Sequence, residues 1–454
     1  MPRSEGGRGY WPTPWSCEDG GLRRWCNAGV PGLGIRPGDG LRVAASRRAF
    51  ATDMLVRREQ GELYALRHPP PRGAQGAPVE AWVERLHPET LQVLARSEVL
   101  PGGPYWPGGL AAHARGDLHM VYGAWAHRLS PDLEVLASHR LPVERPHNSF
   151  VILDSGELVT KDCDAPAGRD PSTVSVLDPE TLLPVTPPLR LPEPSIARLS
   201  SDGQSVIAVG TTRLFRLHLD RSAGRLEIEA GWGPSYGPAP GRSFGWDPVI
   251  TDEHVFWMDN GRNSVDHTML GSGSEAGTER LWWARLDDGS TRSVEISGRP
   301  HGTQSNPPAW DPVERIVVAY DSGNAVVRAW RLDGDELEPL WQRDGLAHAS
   351  HLILYPDSRE LVVGDWRGPA ALRNRALRPL LRAVGSYIPR TRLGTRAALA
   401  GGGDELVVLD LDTGAEKARV PVPSPIQGFL FPAPGFGRDV YYQSLTTIAR
   451  VIVR

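Results

Sequence analysis

Apolar and polar positions alternate with a period of two in short bursts along this chain, and almost nothing repeats at the helical period of 3.6. The bursts GELYALRH (61–68), GELVTKD (156–162), QSVIAVG (204–210), EHVFWMD (253–259), RIVVAYD (315–321) and RELVVGD (359–365) are divided by Asp-Gly, Pro-Asp and Ser-Gly turns. Such alternation puts successive side chains on opposite faces of a strand, so the pattern predicts an all-β chain. The bursts return at intervals of about 40 to 60 residues, the period of a radially repeated four-stranded unit.

Each burst is second in its unit. An inner strand precedes it (FVILDSG, ARLSSDG, PVITDE, LILYPDS), and a third strand follows, ending in a turn such as LHPETLQV (86–93), LDPETLLPV (177–185) or LDLDTGAEKARV (409–420) before an outer strand. Units begin near residues 51, 109, 146, 195, 245, 300, 347 and 425. The last runs out after three strands, so LRVAASR (41–47) is expected to complete it. The expected fold is a β-propeller of eight four-stranded blades, with seven as the alternative, closed by that N-terminal strand. The turns HPETL, DPETL and DLDTG resemble those of the quinoprotein-like and YVTN-like propeller superfamily, a resemblance that covers residues 41–454 and implies a fold without an activity. The GH…WD signature of WD40 repeats is absent, since Trp246-Asp247 and Trp310-Asp311 precede inner strands.

By length alone, 454 residues would suggest about three domains; the repeat reduces them to one propeller (41–454) behind an irregular arm (1–40). Trp11, Trp15 and Trp25 in that arm are expected to pack against the propeller side or to cover one opening. With 54 acidic and 50 basic residues the net charge is −4, which gives no electrostatic reason for a nucleic-acid partner. No apolar run reaches the ~18 residues of a membrane span and the first residues lack an apolar leader core, so the expectation is a cytoplasmic protein. Cys17, Cys26 and Cys163 make neither a disulfide framework nor a zinc knuckle and read as inert thiols.

In a propeller the inner strand begins at the mouth where the second strand ends, so both line one rim, here called the front mouth. Inner-strand starts carry His113 (GLAAHA), His147 (RPHNS), His301 (RPHGTQSN), and His348 and His351 (GLAHASH). Second strands end with His68, Lys161, Asp162, Asp259, Asn260, Asp321 and Asp365. Neutral imidazoles from several strands can hold Fe, Cu, Zn or Mn, and carboxylates can orient them or act as general acids and bases. The set is similar to that of propeller metalloenzymes, the carotenoid cleavage oxygenases and selenium-binding-protein-type oxidases. That similarity implies a metal on His113, His147, His301 and His351, with Fe or another transition metal as the cofactor. Asp162, Asp259, Asp321, Asp365 and Lys161 are the expected acid–base groups. The competing structural reading has the histidines capping strand starts, the aspartates closing turns, and Lys161 solvated.

Two insertions lengthen the same rim. Residues 260–279, with His267, read as a Gly/Ser-rich flap. Residues 367–403 carry Arg367, Arg373, Arg375, Arg378, Arg382, Arg390, Arg392 and Arg396 with no acid among them, and leucines at helical spacing broken by Pro379. Such a cationic lid would touch a membrane surface, admit a lipophilic substrate, hold an anionic one, or simply pack on the rim. The function expected is a small-molecule enzyme with a His/Asp-lined site at one mouth, a metal-dependent oxidoreductase or lyase. The alternative is a non-catalytic binding or scaffolding module, which predicts scattered histidines and a plugged channel. A pyrroloquinoline quinone dehydrogenase suits the blade count but lacks adjacent cysteines, and no phosphate loop, GxSxG elbow or HExxH motif is present.

Overall fold

The computed structural model describes residues 7–49, 51–69, 78–164, 169–236, 244–260, 277–304, 306–346, 351–366, 404–424, 431–444 and 446–454. Eight antiparallel sheets form among them, seven with their four strands in chain order from the channel outward. Their innermost strands are Thr52–Arg57, Gly109–Ala112, His147–Ile152, Ser200–Ser201, Val249–Ile250, Ala309–Asp311, Leu352–Tyr355 and Ala433–Pro434, numbered here as blades 1 to 8. Blade 1 has a fifth strand, Leu100–Pro104, on Pro78–Leu86. Blade 8 takes three strands from the C-terminus and its outer strand, Leu41–Arg48, from the N-terminus, so both expectations, eight blades and closure by 41–47, hold.

The recurring turn between third and outer strands has a local cause. In DPETL the Asp178 carboxylate accepts from the backbone of Glu180 (3.0 Å) and Thr181 (2.8 Å); in DLDTG, Asp410 does the same for Asp412 (3.2 Å) and Thr413 (3.0 Å). In HPETL the His87 Nδ1 replaces the carboxylate, accepting from Glu89 at 3.1 Å. The fifth residue of each turn is left-handed: Leu91 and Leu182 at φ 61°, Gly414 at φ 69°. Leucine tolerates that strain here because both side chains are fully buried.

Apolar side chains cluster between neighbouring blades, such as Met54, Leu66, Leu110 and Met120 between blades 1 and 2, or Val151, Val159, Val206 and Ala208 between blades 3 and 4. The core is therefore a ring around a channel, and the inner strands present unpaired N–H groups to that channel. The N-terminal arm satisfies them at the back mouth, where inner strands end. Carbonyls of Trp15, Ser16, Leu22, Arg23, Trp25 and Cys26 accept from Arg57, Ala112, Ser201, Ile250, Trp310 and Leu354 of blades 1, 2, 4, 5, 6 and 7 at 2.8–3.1 Å. Tyr10 accepts from Ile152 of blade 3 and the Leu33 carbonyl from Arg438 of blade 8. The arm thus covers one opening instead of packing on the side. No helix among the described residues is long and apolar enough to cross a membrane.

Candidate functional site at the front mouth

The rim rule places the second-strand ends correctly. His147, first in the blade 3 inner strand, pairs in register with Asp162, last in the second. His68, Asp259 and Asp365 directly follow second strands, and Asp321 ends one. His301 is half-buried on the loop from the outer strand of blade 5 to the inner strand of blade 6, and His351 immediately precedes the inner strand of blade 7. The placement of His113 requires correction. The inner strand of blade 2 is Gly109–Ala112, so His113 follows it and faces the back mouth, where its ring lies 5.1 Å from His119 and bonds Gly156 O at 3.0 Å. The strand begins four residues earlier than a start at the histidine demands. Among the described residues no group of three or more His, Cys, Asp or Glu side chains is placed to hold a metal ion. His348, His267 and the lid 367–403 lie outside the described residues.

Most rim groups are already engaged. His147 Nδ1 faces the carbonyls of Gly123 and Arg145, both at 3.0 Å, and burial pulls its pKa down to about 4. Asp162 accepts from Thr173 N at 2.6 Å and pairs with Arg145 at 2.8 Å. Asp259 takes the Trp282 indole N–H at 2.9 Å, Asp321 holds Ser297 and Asn324, and Asp365 pairs with Arg419 at 2.7 Å. Lys161 is buried, not solvated: its ammonium donates to Ser195 O at 2.7 Å and Asn148 Oδ1 at 3.3 Å, and burial lowers its pKa to about 8 against the pull of Cys163, Asp162 and Asp247. The three cysteines are buried thiols outside any disulfide.

The channel is filled from within. A single turn of the arm, Glu18–Gly20, enters it beside Arg24, whose guanidinium meets Glu18 at 2.5 Å, Asp19 at 2.8 Å and Leu199 O at 2.9 Å. Arg24 and both carboxylates are almost fully buried. Burial, opposed by Arg24, raises the Asp19 pKa to about 7. In front of this cluster Arg198 of blade 4 stacks over Phe431 of blade 8 at 4.3 Å, and Phe431 meets the His351 ring at 4.3 Å. Blades 4 and 8 are opposite one another in a ring of eight, so this contact spans the axis.

One cluster at the front mouth is not spent on structure. Asp53 opens the blade 1 inner strand next to Thr52, and His68 follows the second strand; their Oδ1 and Nε2 atoms are 3.2 Å apart. His68 Nδ1 lies 2.7 Å from Pro69 O, and the backbone N–H of Gly108 reaches Asp53 Oδ2 at 3.3 Å. Tyr105 and Tyr122 flank the imidazole, with ring centres 5.0 and 5.7 Å away. Burial, then Asp53, pushes both phenol pKa values well up. Tyr122 Oη is completely buried and has no hydrogen-bond partner, and the equally buried His68 Nε2 has only the Asp53 carboxylate beside it. Of these four only His68 stood out in the sequence. Asp53 and Tyr122 were legible only as a polar and an aromatic residue at the same two rim positions, an inner-strand start and a second-strand end, and Tyr105, on the loop before blade 2, gave no signal.

Comparison with solved structures fixes the architecture. Over 98 % of this chain and 80 % of its own, the quinohemoprotein alcohol dehydrogenase ADHIIG of Pseudomonas putida HK5 superposes with a TM-score of 0.58 at 10 % identity. The quinohemoprotein alcohol dehydrogenase of Comamonas testosteroni gives 0.56 at 10 % identity, over 97 % and 80 % of the two chains. BamB of Moraxella catarrhalis gives 0.52 at 13 % identity, over 91 % of this chain and 99 % of its own. The shared fold is the eight-bladed β-propeller. No protein-family model and no curated protein matches the sequence. At such identities the likeness extends to the fold and carries no activity.

Proposed function

We propose that this propeller acts on a small molecule at the front mouth, off the axis, where blades 1 and 2 meet. The observation that carries this reading is the buried, unbonded Tyr122 hydroxyl beside the Asp53–His68 pair. Orphaned buried donors and acceptors are rare because each costs about 1–3 kcal/mol, and they concentrate where a ligand supplies the missing bond. Asp162, Asp259, Asp321 and Asp365 offer less, since they are held by Arg145, Trp282, Asn324 and Arg419. Asp53 and His68 would receive the polar group of the substrate, and Tyr105, half-buried, would guard its approach. A quinone cofactor on the axis does not fit: Arg198, Phe431 and His351 occupy that space, and no two cysteines adjoin.

A second reading, a non-catalytic binding module, has its own support. Val93, Leu94, Val99, Leu136, Leu183 and Val185, all 42–55 % exposed, lie toward the outer edges of the consecutive blades 1 to 3. Contiguous exposed apolar surface marks interaction sites. One experiment separates the two. Thermal shift of the full-length protein is measured against a panel of alcohols, phenols and small carboxylates, in the wild type, Asp53→Asn, His68→Ala and the distant surface variant His218→Ala. The enzyme-type reading expects a compound that raises Tm in the wild type and in His218→Ala but not in the other two. A panel with no stabiliser, or stabilisation that survives in both Asp53→Asn and His68→Ala, removes it in favour of the binding module.

A further inference from the structure

We propose that Lys161 is a covalent site for small aldehydes, its side-chain amine condensing with the carbonyl group to an imine. This site is separate from the Asp53–His68 pair and does not depend on it. Lys161 is the fourth residue of Leu158–Asp162, the second strand of blade 3, one residue before that strand ends at the front mouth. Its Nζ donates to two neutral acceptors, Ser195 O at 2.7 Å and Asn148 Oδ1 at 3.3 Å, and among the described residues no carboxylate is paired with it. An ammonium has three protons to place, a neutral amine two. Two acceptors therefore satisfy the amine and leave its lone pair unspent, whereas the ammonium keeps an unplaced proton and an unpaired charge in the interior.

The surroundings suit that chemistry. Ser172 Oγ fixes Ser195, donating to its carbonyl at 3.1 Å and accepting from its N–H at 3.0 Å. The Ser195 hydroxyl is completely buried and without a partner, which leaves it to donate to the aldehyde oxygen. Cys163, two residues beyond the lysine, and Ile196, next to Ser195, belong to one apolar cluster with Trp106, Phe244 and Trp246, a lining that keeps water from an imine. Burial first, then Arg198 of blade 4, lowers the Lys161 pKa to about 8 against the pull of Cys163, Asp162 and, from blade 5, Asp247. Desolvation and a neighbouring cation are the two routes to a nucleophilic lysine. The side chain is only 1 % exposed, so the carbonyl compound it admits is an aldehyde of few carbons. In the reaction the Nζ lone pair attacks the carbonyl carbon, forming the C–N bond, and one amine proton passes to the oxygen. The C–O bond then breaks, the hydroxyl leaves with the second amine proton as water, and no oxidation state changes.

The chain contains two lysines, so the outcome is read at two positions. Full-length protein is treated with acetaldehyde and sodium cyanoborohydride from about pH 6 to about pH 9, and ethylated residues are mapped by peptide mass spectrometry. Lys161 is expected to react faster than Lys417, which pairs with Glu360 at 3.0 Å, and its rate to level off above about pH 8. In urea the two lysines should react alike. Pyridoxal phosphate, too bulky for the site, should label Lys417 and not Lys161 in the folded protein. Ser195→Ala should slow the Lys161 reaction about tenfold or more and leave Lys417 unchanged. The wild-type comparison involves no variant and decides the matter even where Ser195→Ala fails to fold. Lys161 unmodified in the folded protein, Lys161 slower than Lys417, or Lys161 labelled equally by both aldehydes would each overturn the proposal; a lysine that merely ties blade 4 to blade 3 gives the first of these. A Lys161 rate unchanged in folded Ser195→Ala would overturn the role of the hydroxyl.

Discussion

Glu279 is a carboxyl buried among other carboxyls, with no cation among the groups that shift its pKa. It is the second residue of the third strand of blade 5, fully buried beside the carboxylates of Asp321 and Asp259. Burial first, then Asp321 and Asp259, raises its pKa well above the ordinary carboxylate range. A carboxyl whose pKa is raised on folding is fully accommodated below its unfolded value, and its contribution is lost as pH climbs toward the folded one. Glu279→Gln removes the need for that proton. The variant should therefore exceed the wild type in Tm by about 2 °C or more at about pH 8, and lose the advantage at about pH 4. Equal differences at both pH values, measured by calorimetry, would mean the group is not protonated in the fold. At this scale the sequence told which positions line the rim and not which are free. Asp162 and Asp365 look like catalytic carboxylates until Arg145 and Arg419, which reach them from elsewhere in the fold, are seen. Asp53 in FATDML gave no comparable signal, because its partner Tyr122 belongs to another blade.

Among the elements, the arm departs furthest from ordinary propeller design. It has almost no regular structure of its own, yet it meets every blade, six through backbone–backbone bonds and blades 3 and 8 through the Tyr10 and Arg438 side chains, and places a charged cluster in the channel. Alternation cannot signal such a segment, since its partners are eight separate strand ends. Tryptophans alone showed that it had to be buried somewhere. The cluster makes its docking all-or-none. Arg24→Ala would strand Glu18 and Asp19 in the channel, at a cost of about 3–5 kcal/mol. Arg23→Ala breaks the pair with Asp252, which is 73 % exposed, and a contact 5.6 Å over the Trp25 ring, and should cost about 1 kcal/mol or less. Chemical denaturation gives the magnitudes. Limited proteolysis gives the place, and Arg24→Ala should be cut within residues 7–40 before any blade is. Equal effects from the two substitutions would mean that the arm is held by its backbone contacts and not by the buried charges.

The closure of the ring follows from its parts. Seven blades are each built from one continuous segment, and the eighth joins Leu41–Arg48 to Thr447–Val453 in an antiparallel register that runs from Leu41 opposite Val453 to Arg48 opposite Thr447. That seam was legible because the final unit is one strand short. Its consequence is mechanical: the ring can open there without breaking a local hairpin, so the seam is where global unfolding should begin. Arg42 and Ile452 are register partners on its solvent side. Cysteines at both would close a loop of 410 residues (452 − 42), for which chain entropy gives stabilisation on the order of 5 kcal/mol. The oxidised Arg42→Cys/Ile452→Cys protein should unfold more slowly and at higher temperature than the wild type, and reduction should return both values. If oxidation raises Tm while the unfolding rate stays that of the reduced form, the ring opens first elsewhere. The arm, which also bridges neighbouring blades at the back mouth, would not then be rate-limiting at the seam, and the opening would lie between two blades joined by a continuous chain.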